Sequence, residues 1–321
     1  MPASIGLIGA RGDGQIRRLV EAIEHRGGSP LPFDLTDIPK HVAFHWQGED
    51  MRFGEVELAT LDAVYARTAH FPMPTFVPGA PKDQWEAMTF PIRESGSLMN
   101  AVVSELAARM LVINPPSAHR FHRQKPHLYA TLQRAGVPVP PFAVGSDLAA
   151  AAHFVDAHGQ QVLIKPLMGG EVFLANLAFL KEHHAQLDER PFLLQRRILG
   201  RSLRAYVVGD REVAAAEIVH GDVVDWRTDT QEIRPVSLGS DAAKAACRAV
   251  ASQGLVFGAV DLEEDDEAPW VIDVNPAPMF AGFEARSGLD VAGPLAERLM
   301  AGDHSSQAPP TETTKSTATG T

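Results

Sequence analysis

The most constraining feature of this sequence is a pair of apolar segments near the C-terminus, 258–262 and 270–276, each of which carries an acidic residue. Side chains alternate along a strand, so Asp273 and Asn275 share one face, and hairpin pairing brings Asp261 opposite them. Three oxygen donors without His or Cys favour Mg²⁺ over zinc, and Mg²⁺ usually completes its shell with water and phosphate oxygens. The pattern therefore indicates nucleotide chemistry. A hairpin whose polar ends simply face solvent stays an alternative.

Composition limits the class of protein. A length of 321 residues allows two or three domains, and 45% hydrophobic with 21% charged residues is typical of a soluble globular chain. Acidic residues outnumber basic ones, 40 to 29, which argues against a general nucleic-acid or anionic-membrane binder but permits local basic pockets. Cys247 is the only cysteine, so no intramolecular disulfide forms and a cytoplasmic location is expected. The sequence shows no secretion signal and no apolar run of membrane-spanning length, so we expect no membrane partner.

The first third of the chain predicts a small α/β domain with a parallel sheet. Apolar runs at 4–9, 63–66 and 110–113 predict buried strands, and helical spacing predicts helices over 15–25 and about 97–109. We place this domain at residues 1–118.

The sequence after residue 118 is predicted to form a helix, a strand-rich region and a tail. The helix covers about 121–135, the acidic run 263–267 is expected to be a solvated turn, and a helix at about 240–253 covers an antiparallel sheet. Besides the acidic pair, the predicted strands are 162–165, 192–195, 204–208 and 212–218. Residues 302–321 are rich in Ser, Thr and Pro with almost no large apolar side chain, which predicts a disordered tail.

Four basic residues fit the same nucleotide chemistry. Lys125 lies near the start of the predicted helix, and Lys165 ends an apolar strand shortly before the glycines at 169–170, whose backbone can close over a phosphate. Arg204 in a half-buried strand, and Arg227 after it, need an anionic partner. Each lysine considered alone is better explained as an ordinary surface residue.

The order and spacing of these residues resemble the ATP-grasp superfamily, and most closely its RimK-like carboxylate–amine ligases. The resemblance covers about residues 90–300. The segments that carry it are 123–140, 162–167, 192–195 with 203–209, 225–229 and 273–290.

The resemblance implies a mixed α/β and α+β architecture, the ATP-grasp fold, in which two α+β lobes hold ATP between them. The implied parts are an N-terminal α/β domain preceding the ATP-grasp unit (1–118), a central lobe (119–190) and a C-terminal lobe (191–301), followed by the tail at 302–321.

It also implies roles for individual residues. Lys125 and Lys165 would contact the ATP phosphates, and the backbone at Gln195, Arg197 and Ile198 would contact adenine. Asp261, Asp273 and Asn275 would hold Mg²⁺, with Mn²⁺ as an alternative. Arg204 and Arg227 would neutralise the transferred phosphoryl group, for which the guanidinium fork is suited.

The implied activity is amide-bond formation between a carboxylate and an amine through an acyl phosphate, with ADP released. The substrates would be small molecules or peptides, including a precursor peptide tailored by the enzyme, and no nucleic acid is expected. A homo-oligomer is compatible with the resemblance. The glycine loop after Lys165 is short, Ser202 stands where many relatives have Asp, and Asp273 replaces the usual Glu. Two alternatives therefore stay open, a catalytically inactive ATP-binding regulator and a kinase that stops at phosphorylation.

Overall fold

The computed structural model describes residues 2–10, 12–67, 81–119, 123–168 and 170–302; the side chain of Arg227 also lies outside this description. The predicted tail, 302–321, lies outside the described residues from 303 onward. Within the described ranges, none of the helices combines the length and the apolar character needed to cross a membrane.

The N-terminal region contains the predicted parallel sheet. Its strands are β1 (Ser4–Ile8), β2 (Ser29–Phe33), β3 (Phe44–Gln47), β4 (Asp50–Phe53), β5 (Val56–Glu57), β6 (Ala63–Ala66) and β7 (Leu111–Ile113), and its helices are α1 (Gly14–His25), α2 (Lys82–Arg109) and α3 (Pro116–His119). The parallel sheet has the order β2-β1-β6-β7, and β3, β4 and β5 form a separate antiparallel sheet. The sequence missed β2, whose two prolines are uncommon inside a sheet.

The central lobe is built on an antiparallel sheet of order β10-β9-β11-β8. Its strands are β8 (Phe142–Gly145), β9 (Val162–Lys165), β10 (Phe173–Leu174) and β11 (Phe192–Arg196), and its helices are α4 (Lys125–Arg134), α5 (Leu148–Ala157), α6 (Leu177–Glu182) and α7 (His184–Leu187). Because β11 pairs with both β8 and β9, it belongs to this lobe rather than to the next. We correct the expected boundary at 190/191 accordingly and propose that it lies between Arg196 and Arg201.

The C-terminal lobe is a five-stranded antiparallel sheet of order β14-β13-β12-β15-β16. Its strands are β12 (Arg201–Val208), β13 (Arg211–His220), β14 (Thr230–Pro235), β15 (Phe257–Glu264) and β16 (Pro269–Asn275), and its helices are α8 (Ser240–Ala251), α9 (Ala281–Ser287) and α10 (Ala292–Ala301). Helix α8 covers one face with Ala242, Ala245, Ala246 and Ala249, whose helical spacing gives a smooth apolar stripe. The sequence missed β14, an edge strand of mostly polar residues.

The N-terminal sheet and the C-terminal lobe share one hydrophobic core. Tyr65 of β6 and Tyr206 of β12 both pack against Phe257, with ring centroids 6.4 and 6.5 Å apart. Gln15 of α1 is buried, and its Oε1 accepts hydrogen bonds from the backbone N–H groups of Phe280 (2.8 Å) and Ala281 (2.6 Å). The chain that follows β16 is therefore anchored to the N-terminal domain.

Candidate active site

The central and C-terminal lobes enclose a cavity of about 470 Å³. Seven of the ten predicted site residues line it: Lys125, Lys165, Gln195, Arg197, Ile198, Asp261 and Asp273. Arg204 reaches the cavity wall through its contacts with Asp261 and Trp226. The structure thus brings together residues that are up to 148 positions apart in sequence.

The two predicted metal-binding carboxylates face each other on a hairpin. Strands β15 and β16 pair antiparallel, with Asp261 directly opposite Asp273 and Ala259 opposite Asn275. This register confirms the pairing predicted from the alternation of apolar and polar residues. The ladder shifts by one residue immediately after Asp261, and such a bulge re-aims the neighbouring side chains.

Asp261 is held by Arg204 of the adjacent strand β12. The guanidinium donates two hydrogen bonds, from Nε to Oδ1 at 2.7 Å and from the terminal nitrogen NH2 to Oδ2 at 2.9 Å. The Trp226 ring covers the guanidinium, with its centroid 4.8 Å from the Arg204 Cζ. Burial alone would lower the pKa of Arg204, but the adjacent Asp261 carboxylate outweighs burial and raises that pKa.

Asp273 has a cation of its own. The buried Lys125 Nζ donates to Asp273 Oδ1, and the same oxygen accepts from the backbone N–H of Val274 at 2.8 Å. Nearby, Tyr129 donates its hydroxyl hydrogen to the carbonyl of Ile272 at 2.9 Å, which ties α4 to β16. Burial raises the pKa of the Tyr129 hydroxyl far above its ordinary value, so this group stays a hydrogen-bond donor.

Lys165 and Gln195 lie on neighbouring strands of the central sheet. Lys165 Nζ donates to the side-chain Oε1 of Gln195 at 2.6 Å, and Gln195 is almost completely buried. At the following hinge, the backbone N–H of Arg197 already donates to the carbonyl of Gln161 at 2.9 Å. The Arg197 side chain pairs with the exposed Asp222 at 3.0 Å across the rim of the cavity. An adenine contact at Arg197 would therefore use its carbonyl oxygen.

The remaining two predicted residues have different surroundings. Asn275 Oδ1 accepts from the backbone N–H of Ala277 at 3.0 Å, so this amide shapes the turn after β16. Arg227 belongs to a short 3₁₀ turn, Trp226–Thr228, and its side chain lies outside the described part of the structure. The metal role of Asn275 and the phosphate role of Arg227 stay predictions, as do the roles of the residues that line the cavity.

The carboxylates fit a hard divalent cation. Asp261 and Asp273 supply opposed oxygen donors in the cavity that Lys125 and Lys165 also line, and Mg²⁺ is commonly held by one or two carboxylates together with substrate phosphates. Over the residues that the structure describes, no group of three or more His, Cys, Asp or Glu side chains has metal-binding spacing.

A second polar cluster lies in the cavity, and the sequence patterns did not predict it. Ser202 Oγ lies 2.7 Å from Glu263 Oε1 and 2.9 Å from His220 Nε2. Glu263 was expected in a solvated turn, but it lies within β15 and lines the cavity. The four residues that follow it are acidic, and only the strand pairing shows that its side chain points inward.

Hydrogen positions in this cluster follow from its contacts. A carbonyl oxygen only accepts, so His220 Nδ1 donates to the Gly221 carbonyl at 2.7 Å. Ser202 has a single hydroxyl hydrogen, which it can donate to Glu263 or to His220 Nε2 but not to both. The group that does not accept this hydrogen must therefore carry a proton and donate it to Ser202 Oγ. Burial raises the pKa of Glu263 to about 7, against the opposing effects of Ser202 and His220.

Comparisons with known proteins agree with this fold. The model of the RimK-like ATP-grasp domain matches residues 122–299. The probable alpha-L-glutamate ligase of Haemophilus ducreyi is 27% identical over 209 residues, which are 61% of this chain and 68% of that protein. The ATP-grasp ligase PsnB, solved with a minimal precursor, superposes with a TM-score of 0.81 at 28% identity over 93% of this chain and 98% of PsnB. PsnB solved with a phosphomimetic precursor variant, Mg and ADP superposes with a TM-score of 0.82 at 27% identity, over 94% of this chain and 99% of PsnB.

Proposed function

This chain belongs to the RimK-like ATP-grasp family and is an ATP-dependent ligase that joins a carboxylate to an amine, and from that premise we propose that its carboxylate substrate is part of a peptide. The supporting observation is the end-to-end similarity to PsnB, which binds a precursor. That similarity covers 93% of this chain and 98% of PsnB, and so includes the N-terminal domain.

The size of the cavity is compatible with this proposal. Its volume of about 470 Å³ lies within the range of roughly 300–1,000 Å³ typical of sites for one small ligand. A nucleotide would occupy most of it, so the carboxylate and the amine would approach from the open rim between the lobes. A peptide side chain can enter in this way while its backbone stays at the surface.

The reaction forms the amide in two steps. A carboxylate oxygen attacks the γ-phosphorus of ATP, the bond to ADP breaks, and an acyl phosphate forms. The amine nitrogen then attacks the acyl carbon, loses a proton, and expels inorganic phosphate. Phosphoryl transfer of this kind depends on positioning and charge neutralisation rather than on a protein nucleophile.

We assign the groups that neutralise charge as follows. Lys125 and Lys165 would bind the phosphates, and Arg204 would orient Asp261 while adding positive charge to the site. Asp261 and Asp273 would hold Mg²⁺, which when bound neutralises phosphate oxygens; Mn²⁺ has the same preference for oxygen ligands. Asn275 and Arg227 would complete the metal and phosphate sites.

The test is phosphate release followed by mass spectrometry. The protein is incubated with Mg·ATP and peptides that contain both acidic residues and lysine, and in parallel with glutamate plus a pool of amines. Matched peptides with Asn and Gln in place of Asp and Glu serve as controls. We expect phosphate release with the acidic peptides and a product lighter by one water.

Other outcomes identify the competing functions. A product formed only from free glutamate would move the assignment to an amino-acid ligase. A phosphorylated peptide that persists in the presence of amines would indicate a kinase. Mg·ATP binding without turnover in every pool would indicate an inactive regulator.

A further inference from the structure

The carboxyl edge of the N-terminal parallel sheet holds the turn that follows β16. Asn114 comes directly after β7 and donates to the Pro276 carbonyl at 2.7 Å. Arg67 comes directly after β6 and donates from its terminal nitrogen NH1 to the Ala277 carbonyl. Gln15, in the first turn of α1, accepts from two backbone N–H groups farther along the same turn. In open α/β sheets this edge commonly binds ligands, but here it binds the chain that leaves the proposed metal site.

Arg67 is restrained from the side opposite Ala277. Only 13% of its side chain is exposed, and its Nε lies 3.2 Å from Asp13 Oδ2. Asp13 is itself held as the N-cap of α1, since its Oδ1 accepts from the backbone N–H of Gln15 at 2.7 Å. A largely buried guanidinium requires an anionic partner, and this one also limits its rotation. The contact with Ala277 is therefore made by a side chain whose position is fixed by the N-terminal domain.

Ala277 connects Arg67 to Asn275. Its carbonyl accepts from Arg67, and its N–H donates to Asn275 Oδ1 at 3.0 Å. The oxygen of a side-chain amide offers two acceptor positions. Because Ala277 occupies one of them, the second can serve a metal ion. Asn275 shares a strand face with Asp273, so this oxygen lies on the side of the proposed metal site.

We propose that Arg67 is a positioning residue for the metal site and acts through Ala277 on Asn275, an inference that rests on the proposed role of Asn275 in binding Mg²⁺. Arg67 fixes the turn, and the turn fixes the orientation of the Asn275 amide. Residues that hold a metal ligand in place affect metal affinity strongly, although they do not touch the metal. The N-terminal domain thus contributes to metal binding from outside the cavity.

The alternative is a purely mechanical link between the N-terminal domain and the C-terminal lobe. Arg26 provides the matched comparison, because it makes such a link without contacting the turn. Its Nε and terminal nitrogen NH2 donate to Glu297 of α10 at 3.2 and 3.1 Å, and it also pairs with Asp290. Loss of either arginine removes an ion-pairing group at the domain contact, but only loss of Arg67 releases Ala277.

The experiment measures Mn²⁺ binding to the whole chain by electron paramagnetic resonance in the presence of saturating ADP. Arg67→Met keeps the apolar stem and is expected to lower Mn²⁺ affinity about 10-fold, as for other residues that support a metal ligand. The affinity for ADP without metal, measured by calorimetry, is expected to stay unchanged. Arg67→Lys retains a cationic donor and should recover part of the Mn²⁺ affinity. Arg26→Met should match the wild-type protein in both measurements.

A double-mutant cycle tests whether the effect passes through Asn275. Asn275→Ala alone should weaken Mn²⁺ binding, and adding Arg67→Met to it should cause little further loss, because the two residues act as one unit. Additive losses would overturn the proposal. Unchanged Mn²⁺ affinity in Arg67→Met, with a loss in Asn275→Ala, would also overturn it and leave the metal site intact.

The remaining outcomes separate a structural role from a failure of the metal site. If Arg67→Met weakens metal-free ADP as much as Mn²⁺, or if neither Arg67→Met nor the milder Arg67→Gln folds, Arg67 is a structural residue and the proposal is overturned. Unchanged Mn²⁺ affinity in Asn275→Ala would remove Asn275 from the metal site and this inference with it. Absence of Mn²⁺ binding by the wild-type protein with ADP would overturn the proposed metal site itself.

Discussion

Arg204 and Asp261 form a two-point ion pair, 2.7 and 2.9 Å long, between adjacent strands of the C-terminal sheet. Asp273, which faces Asp261, pairs with Lys125. Both carboxylates proposed for Mg²⁺ are thus neutralised by the protein itself before a metal arrives. The arrangement avoids placing two unpaired negative charges opposite each other, and it makes metal binding compete with two internal cations.

The first prediction concerns the stability contributed by this pair. Arg204→Ala leaves a largely buried Asp261 without its cation, which should lower the free energy of unfolding by roughly 3 kcal/mol. Addition of Mg²⁺ should restore part of the loss, because the metal replaces the missing charge. Urea unfolding with and without Mg²⁺ measures both effects. The control is Arg201→Ala on the same strand, whose more exposed pair with Glu264 should cost no more than about 1 kcal/mol. Equal costs in the two variants would contradict the assignment.

Asp273→Asn tests the metal assignment. Asparagine keeps an oxygen acceptor for Lys125 but removes the negative charge, so turnover should fall about 100-fold or more, as for removal of an electrostatic group from a reaction centre. ADP formation provides the rate, and calorimetry with ADP in the absence of metal should still detect binding. Glu267→Gln, on the exposed turn before β16, should retain normal turnover. Unchanged ADP formation in Asp273→Asn would remove this residue from the metal site.

Lys165→Ala tests phosphate binding by the central lobe. Loss of a charged hydrogen-bond donor should raise the KM for ATP by about 10- to 100-fold. The variant also removes the 2.6 Å contact to Gln195, so the melting temperature should be measured to separate binding from folding. Lys181→Ala, on the exposed side of α6, should leave the KM unchanged. A normal KM in Lys165→Ala would show that this lysine does not contact ATP.

Asn114 connects the N-terminal domain to the strands that carry the carboxylates. Its amide nitrogen donates to the carbonyls of Phe257 (2.6 Å) and Pro276 (2.7 Å), and its Oδ1 accepts from the N–H groups of Val256 (2.9 Å) and Phe257 (3.1 Å). Only 1% of the surface of Asn114 is exposed, so these bonds form away from bulk water.

Asn114→Ala should therefore lower the free energy of unfolding by about 3 kcal/mol or more, because several buried backbone groups lose their partner. Asn100→Ala, at an exposed position of α2, should change stability by about 0.5 kcal/mol or less. Thermal and urea unfolding of the two variants provide the comparison. Similar stabilities would show that Asn114 is not a structural connection.

Local patterns were sufficient to predict much of the site. The alternation of apolar and polar residues over two short segments predicted the opposition of Asp261 and Asp273, and the register confirms it. The position of Lys165 at the end of an apolar strand was also predictable, because strand ends follow from a run of buried residues.

Non-local pairing accounts for what the sequence did not show. The assignment of β11 to the central sheet depends on partners up to 53 residues away, such as Phe142 opposite Gln195 and Lys165 opposite Leu193. Glu263 was misplaced for a similar reason. An acidic residue beside four others suggests a solvated turn, and only its pairing with Ser202 reveals that it faces the cavity.

The most direct test of the account is oxygen transfer from substrate to phosphate. The peptide carboxylate is labelled with ¹⁸O, the reaction is run with Mg·ATP and the amine, and the released phosphate is examined by mass spectrometry. An acyl-phosphate ligase should transfer one ¹⁸O into inorganic phosphate for each amide formed. Unlabelled phosphate, produced at the same rate with or without the amine, would show that water rather than a carboxylate attacks ATP and would contradict the proposed reaction.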